Sequence, residues 1–192
     1  MAFFPSGYTP STGGSSNYTK LQPGENKLRV ISEDALLGWQ YWNTAGKPVR
    51  FAHDKFPGNQ PADIRDGETV KEVMWTAVYN YATKSIEIWE VTQKQILKAL
   101  YDYAHLEDYG DPSNYGLTIK RDGSGKETKY SVLAGVPKPL PTEIKELADK
   151  TPINLANILT TGNAFDASPA PGAKPTAEQK KVLVESDENL PF

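Results

Sequence analysis

Alternating apolar and polar residues predict β-strands along most of the chain. In the segment 26–31, Leu28 and Val30 alternate with Lys27 and Arg29, so the two pairs should lie on opposite faces of a strand. β-Branched and aromatic residues then mark further strands, separated by short polar turns. These strands should form three hairpins, which pair residues 39–42 with 48–51, 73–81 with 85–91, and 115–121 with 128–133.

One helix is predicted between the second and third hairpins. Thr92 and Gln95 fit a capping box, and apolar residues recur at helical spacing through 93–105. Thr142 and Thr151 have the character of N-caps of two short helices. The sequence therefore predicts a mainly β (α+β) fold, a five-stranded OB-fold-like Greek-key barrel with one well-marked helix, although another mixed sheet fits the same pattern.

Composition divides the chain into four parts. Residues 1–17, rich in Ser, Gly, Thr and Pro, predict a flexible arm, and residues 18–160 hold nearly all the hydrophobic pattern of the folded domain. Residues 161–184 are a Pro- and Ala-rich segment that predicts a disordered linker, and residues 185–192 form an acidic tip. The three acids of the tip account for the whole formal net charge of −3, so an acidic average does not exclude polyanion binding.

Catalysis and cofactors are not expected from the residue types present. The chain has no Cys, which removes disulfides, thiolate metal sites and cysteine nucleophiles, and its two imidazoles, His53 and His105, lie in no recognisable motif. Glu107, Asp108 and Asp111 can bind a hard cation, but acids beside Gly and Pro are also typical of an ordinary turn.

No apolar run approaches the length of a membrane span, and the first residues lack the features of a signal peptide. We therefore expect a cytoplasmic protein with no membrane partner.

Aromatic residues interleaved with basic ones are typical of single-stranded nucleic-acid binding, in which rings stack on bases and cations follow the phosphates. The candidate stacking residues are Trp39, Tyr41, Trp42, Phe51, Trp75, Tyr79, Tyr81 and Trp89. The candidate phosphate contacts are Lys27, Arg29, Lys47, Arg50, Lys71, Lys84, Lys120 and Arg121. The same rings can instead form the core of a chain poor in Leu, although alternation with Ile86 and Ile88 places Trp89 on the outward face.

The acidic tip has the composition of a docking peptide on a tether. Its Phe can enter an apolar pocket while its carboxylates meet basic residues of a partner. When free, it can also compete with nucleic acid for the protein's own basic groove; a solubilising tail is the simpler alternative. The candidate partner-binding residues are Glu185, Asp187, Glu188, Leu190, Pro191 and Phe192.

Several stretches of this sequence are similar to bacteriophage single-stranded DNA-binding proteins with an OB fold. They are YTKLQPGENKLRV at 18–30, GWQYW at 38–42, PVR at 48–50, IEIWEVTQK at 86–94 and YGDP at 109–112, within about 18–135, and the tip separately resembles the tails of bacterial and phage proteins of this kind. The resemblance implies protection of single-stranded DNA during phage replication, recombination or repair in the infected bacterial host. It also implies recruitment of replication and recombination proteins, such as a polymerase, helicase or primase, through the tip.

The expected function is sequence-independent binding of single-stranded DNA without a cofactor. The alternatives are a non-catalytic adaptor or structural module whose acidic tail is its only interaction site, and a DNA-processing enzyme that uses Glu107, Asp108 and Asp111 with a metal. The sequence leaves open whether RNA is also bound and whether the chain forms a homodimer through a hairpin edge or the helix.

Overall fold

The computed structural model describes residues 17–56 and 58–166. The chain divides between Thr151 and Pro152 into two compact units. In the second unit, the described residues 152–166 contain a short 3-10 helix, Leu155–Leu159. Nearly all of the predicted arm, the linker from residue 167 onward and the whole acidic tip lie outside the described residues.

In the first unit, the described residues form seven strands and two α-helices. The strands are β1 (Gly24–Val30), β2 (Leu36–Trp42), β3 (Pro48–Ala52), β4 (Lys71–Asn80), β5 (Ser85–Val91), β6 (Gly116–Asp122) and β7 (Lys129–Ala134). The helices are α1 (Lys94–Ala104) and α2 (Thr142–Asp149). The mainly β architecture, the three hairpins and the position of α1 are confirmed. The count of five strands is wrong, because all seven stretches with strand character form strands.

The named strands all pair antiparallel, in the order β3-β2-β4-β1-β6-β7, with β5 paired to the other edge of β4. The ten residues of β4 allow it to pair with β2 over its first half and with β1 over its last three residues. Within the described residues, β3, β5 and β7 each pair with a single strand, and β3 and β7 lie at the two ends of the strand order.

The hydrophobic core lies between α1 and one face of the sheet, here called the helix face. Ile96 and Leu100, one turn apart on α1, are buried against side chains of five strands, including Leu28, Leu117 and Trp89. Each fully buried side chain of this size contributes roughly 1.5–3 kcal/mol relative to its exposed state. On β1, Leu28 and Val30 lie on the helix face, and Lys27 and Arg29 on the opposite one, here called the open face, so the predicted alternation is confirmed.

At β4 and β5 the sheet is buried on both faces. Val73, Trp75, Ala77 and Ile88 are buried on the face opposite α1, while Trp89 is buried in the core beneath α1. Alternation along β5 therefore does not separate buried from exposed residues. The prediction that Trp89 faces outward is wrong for this reason.

The predicted capping box at the start of α1 does not form. Gln93 is the N-cap, no side chain caps the helix, and Gln95 Oε1 instead accepts a hydrogen bond of 2.8 Å from the backbone N of Tyr130 on β7. Gln95 is therefore used to connect the helix to the neighbouring strand.

The two short helices also differ from the prediction in their caps. Pro141, not Thr142, is the N-cap of α2, and Thr151 Oγ1 donates to the Leu147 carbonyl, 2.7 Å away, at the end of that helix. Asn154 caps the following 3-10 helix by accepting from the backbone N of Ala156. None of the helices in the described ranges is long and apolar enough to cross a membrane.

Candidate nucleic-acid interface

Three of the aromatic residues predicted to stack on bases are buried. Trp75 and Trp89 are 0% and 1% exposed, and Tyr41 is 5% exposed. The Tyr41 hydroxyl donates to Asp63 Oδ1 at 2.7 Å, and this hydrogen bond, with burial, raises the pKa of Tyr41 to about 12. These three predictions are wrong because both faces of β4 and β5 are covered and because the loop after β3 carries Asp63 over Tyr41.

Arg50, predicted to contact phosphates, belongs to a hydrogen-bonded network around Glu90. Its Nε donates to Gln40 Oε1 at 2.9 Å and its Nη2 lies 3.3 Å from Glu90 Oε2. Glu90 also accepts from Gln40 Nε2 and from Trp75 Nε1, both at 3.0 Å. The charge of Arg50 is therefore compensated inside the protein, and its prediction as a free phosphate contact is wrong.

Two further arginines from the predicted phosphate set donate to backbone carbonyls. Arg121 Nη1 donates to Leu21 O at 2.8 Å, and Arg29 Nη2 donates to Lys138 O at 2.7 Å. Arg29 is only 4% exposed, because the chain after β7 lies over its guanidinium. Burial lowers the pKa of Arg29, and the nearby Tyr81 hydroxyl partly offsets this effect. Neither arginine extends into solvent as the sequence predicts.

Trp39 and Phe51 are half-buried partners across β2 and β3. Trp39 stacks on His53 with ring centroids 5.7 Å apart, contacts Phe56 at 4.5 Å, and donates from its indole N to the His53 carbonyl. Phe51 stacks on Tyr41. Much of both ring surfaces is thus used within the protein.

Trp42 and Lys47 lie at the tip of the β2–β3 hairpin, and both are exposed. Trp42 is on the sheet face opposite to Trp39, because the two residues are three positions apart in a strand. Lys71, near this end of β4, is exposed and pairs with Glu68 at 3.1 Å. The candidate residues of the first hairpin are therefore divided between two faces.

The remaining candidates come together on the open face, where β4, β1 and β6 lie side by side. Tyr79 and Tyr81 are two residues apart on one face, and their rings meet edge to face with centroids 5.1 Å apart. Tyr81 is 41% exposed, and Lys27 on β1 and Lys120 on β6 are exposed on the same face. We call these four residues the tyrosine–lysine face. Lys120 also pairs with Asp122 at 3.2 Å.

The turn that carries Tyr81 is held by the carboxylate of Glu87. Glu87 is 9% exposed and accepts four hydrogen bonds, from Thr19, Asn80, Thr83 and Ser85, at 2.9, 3.0, 2.6 and 3.1 Å. Burial alone raises the pKa of this carboxyl, but the four donors together outweigh burial and lower it. The same turn contains Lys84, an exposed residue with a positive φ of 54°.

Sequence reasoning missed Glu87 and Glu90 as organising residues. Their signal is present in IEIWEV, where apolar residues occupy both faces of the strand and leave two acids among them. An acid in a strand buried on both sides must be paired or hydrogen-bonded. Applied to IEIWEV, this rule identifies Glu87 and Glu90 as acids that need partners within the protein.

The acids considered for a cation site do not converge. No group of three or more His, Asp or Glu suited to a metal occurs in the part of the chain that the structure describes. Asp111 instead accepts from the backbone N of Ser113, 2.7 Å away, and begins the 3-10 helix Pro112–Asn114. His53 lies 3.6 Å from Glu72.

A scan against protein-family models and searches of curated proteins and of solved structures each found no match.

Proposed function

We propose that this protein binds single-stranded DNA without sequence specificity, through the tyrosine–lysine face. The observation that carries the proposal is the exposed Tyr81 ring, supported edge-on by Tyr79, with Lys27 on the adjacent strand β1. Lys120 lies on the same face of the next strand, β6, across from Glu25. A base can stack on an exposed aromatic ring whatever its identity, while ammonium groups attract the phosphates. This combination favours strand binding that tolerates any sequence.

We also propose that the sheet is an enlarged form of the OB-fold barrel. Two features support this assignment: β4 pairs along one edge with both β2 and β1, and α1 separates the first five strands from the last two. Barrels of this class bind nucleic acid on an exposed part of their sheet, which is where the tyrosine–lysine face lies.

The biological setting of the proposal rests on the resemblance of residues 18–135 and 185–192 to phage proteins. The protein coats single strands in the cytoplasm of an infected bacterium, during replication, recombination or repair. Its acidic tip recruits a polymerase, helicase or primase. It performs no catalysis and needs no cofactor.

Binding is tested by fluorescence anisotropy with labelled oligo-dT and with a duplex of equal length, each at low and moderate salt. We expect tight binding to oligo-dT that weakens with salt, and weak binding to the duplex. Equal binding to both would indicate simple electrostatic attachment. No binding to either would contradict the proposal and favour the adaptor alternative. Tryptophan quenching is a poorer assay, because Trp75 and Trp89 are buried.

The location of the interface is tested with a matched pair of tyrosine variants. Tyr81→Ala removes the proposed stacking ring, and Tyr101→Ala removes a 64% exposed ring from α1. Loss of one base stack is worth roughly 1–3 kcal/mol, so Tyr81→Ala should weaken oligo-dT binding about tenfold. Tyr101→Ala should bind as the wild type does. Equal affinities for the two variants would place the interface elsewhere.

A further inference from the structure

A cavity of about 570 Å³ opens where β1 ends, beside Arg29. Its walls come from the end of β1 and the loop after it, the turn before β6, and the segment that follows β7. The lining combines apolar side chains with hydroxyl, amide and cationic groups. The apolar residues include Tyr109, Pro137, Pro139 and Leu140, and the polar ones include Ser113 and Lys138. This volume lies in the range of about 300–1,000 Å³ that is usual for small-ligand sites.

The wall of this cavity carries a buried positive charge without a carboxylate partner. Arg29 is 4% exposed, its Nε has no hydrogen-bond partner, and its Nη2 donates to a neutral carbonyl. Within 17–56 and 58–166, no ion pair joins Arg29 to an acid. Glu33 also lines the cavity, but it is exposed and forms no ion pair with Arg29 there. Buried charges are normally paired, so this arrangement favours an anion in the cavity.

The other arginines of the sheet show what makes Arg29 different. Arg50 has Glu90 as its counter-charge. Arg121 resembles Arg29 more closely, since it donates to the Leu21 carbonyl and its Nε also has no partner, but it does not line this cavity. Arg29 combines an uncompensated charge with a space large enough for a ligand. Arg121 is therefore the matched control.

We propose that this cavity binds the phosphate group of a nucleotide, with Arg29 as the counter-charge and the apolar lining residues in contact with the sugar or base. Lys138, which is in no ion pair in the described part of the chain, adds a second cation. Arg29 lies directly across from Tyr79, so the cavity begins beside the tyrosine–lysine face. The inference rests on the proposed function only in taking a DNA strand as one source of the phosphate; a free mononucleotide is the other.

Binding is tested on the full chain by following backbone amide signals in two-dimensional NMR. The probes are inorganic phosphate, thymidine monophosphate and thymidine. Phosphate and the monophosphate should cause saturable shifts at residues 29–33, 113–114 and 138, and thymidine should cause none. Equal shifts with thymidine, or no shifts with any probe, would overturn the site.

Variants then test the role of the charge. Arg29→Gln should weaken binding of thymidine monophosphate at least about tenfold, as expected for loss of a charged partner of a phosphate. Arg121→Gln should stay within about twofold of the wild type. If circular dichroism shows that Arg29→Gln is unfolded, the exposed Lys138→Gln replaces it, with an expected loss of about threefold from one exposed cation. Unchanged affinity in a folded variant of Arg29, or in Lys138→Gln when that variant replaces it, would overturn the proposal.

Oligo-dT without terminal phosphates identifies the source and separates this inference from the proposed function. Shifts at the cavity amides with this oligonucleotide would support a strand phosphodiester, and shifts with the monophosphate alone would support a terminal or free phosphate. If oligo-dT binds but neither nucleic-acid probe shifts these amides, the cavity site is wrong and the proposed function stands. If the monophosphate binds and oligo-dT does not, the proposed function is wrong and the cavity site stands.

Discussion

The substitution Glu87→Gln should destabilise the protein at neutral pH and lose this effect in acid. Glu87 holds Thr19, Asn80, Thr83 and Ser85 through four hydrogen bonds to one buried carboxylate. Glutamine keeps the shape but has one carbonyl oxygen in place of two acceptor oxygens, and its NH₂ group faces groups that now donate. The hydroxyls can rotate to accept, but the charge that strengthens all four bonds is gone.

The size of the effect follows from the number and kind of these bonds. Hydrogen bonds to a charged group contribute roughly 1.5–3 kcal/mol each, but they are not additive at one carboxylate, and glutamine retains part of the network. We therefore expect a loss of about 2 kcal/mol in the free energy of unfolding. In a protein of this length, that loss corresponds to a fall in Tm of roughly 4–8 °C.

The pH dependence has a definite sign. The pKa of Glu87 is lower in the folded protein than its ordinary value of 4.5. The unfolded state therefore binds the proton more readily, and the stabilisation is complete above the ordinary pKa. It is lost as the pH falls through the lower, folded-state pKa, because the carboxyl then becomes neutral, as glutamine is at every pH.

The assay is thermal unfolding of the wild type and Glu87→Gln between pH 3 and pH 7, with Glu107→Gln as the control. Glu107 is exposed, so its substitution should leave Tm almost unchanged. The gap between wild type and Glu87→Gln should be widest near pH 7 and should narrow as the pH falls below 4.5 toward pH 3. A gap that is absent at pH 7, or equally wide at both pH values, would refute the reasoning.

Three further predictions concern the division between structural and binding residues. Lys27→Ala and Lys120→Ala should each reduce the salt dependence of oligo-dT binding by about 0.7 in logarithmic slope, and an unchanged slope would remove that lysine from the interface. Arg50→Gln should leave the salt dependence of oligo-dT binding unchanged. Because Glu90 loses its charged partner, this variant should lower the free energy of unfolding by about 1–3 kcal/mol in urea titration. A weaker salt dependence would instead indicate that Arg50 contacts phosphate. Trp75→Ala should cost roughly 3–5 kcal/mol in the same titration while the folded protein binds oligo-dT normally, so selective loss of binding would contradict its placement in the core.

The strand pattern of the sequence predicted most of the fold. Alternation of Leu28 and Val30 with Lys27 and Arg29 indicates the two faces of β1, and the position of α1 follows from its helical spacing. Both signals are local, so they depend little on the rest of the chain. The cap of α1 was not predictable in this way, because Gln95 is used by β7, which lies 35 residues away in sequence.

The candidate site was only partly predictable because alternation says which face a residue occupies but not what covers that face. Arg29 and Lys27 share the open face, yet the segment after β7 buries Arg29 and leaves Lys27 exposed. Trp89 is buried and Tyr81 is exposed for the same reason, because β5 is covered on both faces and the turn after β4 is not. Composition shows that aromatic and basic residues are abundant, but only the tertiary packing shows which of them are buried in the structure and which are exposed.

Charge compensation provides a physical criterion for that separation. Two charges have partners within the protein: the buried Glu87 with its four donors, and the partly buried Arg50 with Glu90. They fix the turn and the strands around them. Arg29 is at least as deeply buried as Glu87, but within the described residues no acid forms an ion pair with it. A buried cation without a counter-charge destabilises the folded protein. Binding of an anionic ligand would neutralise this charge, which explains why an arginine is present at this position. Arg29 lies directly across from Tyr79, the ring proposed to support Tyr81 under a stacked base. The unpaired buried cation and the neighbouring aromatic rings therefore favour a ligand that carries both phosphates and bases.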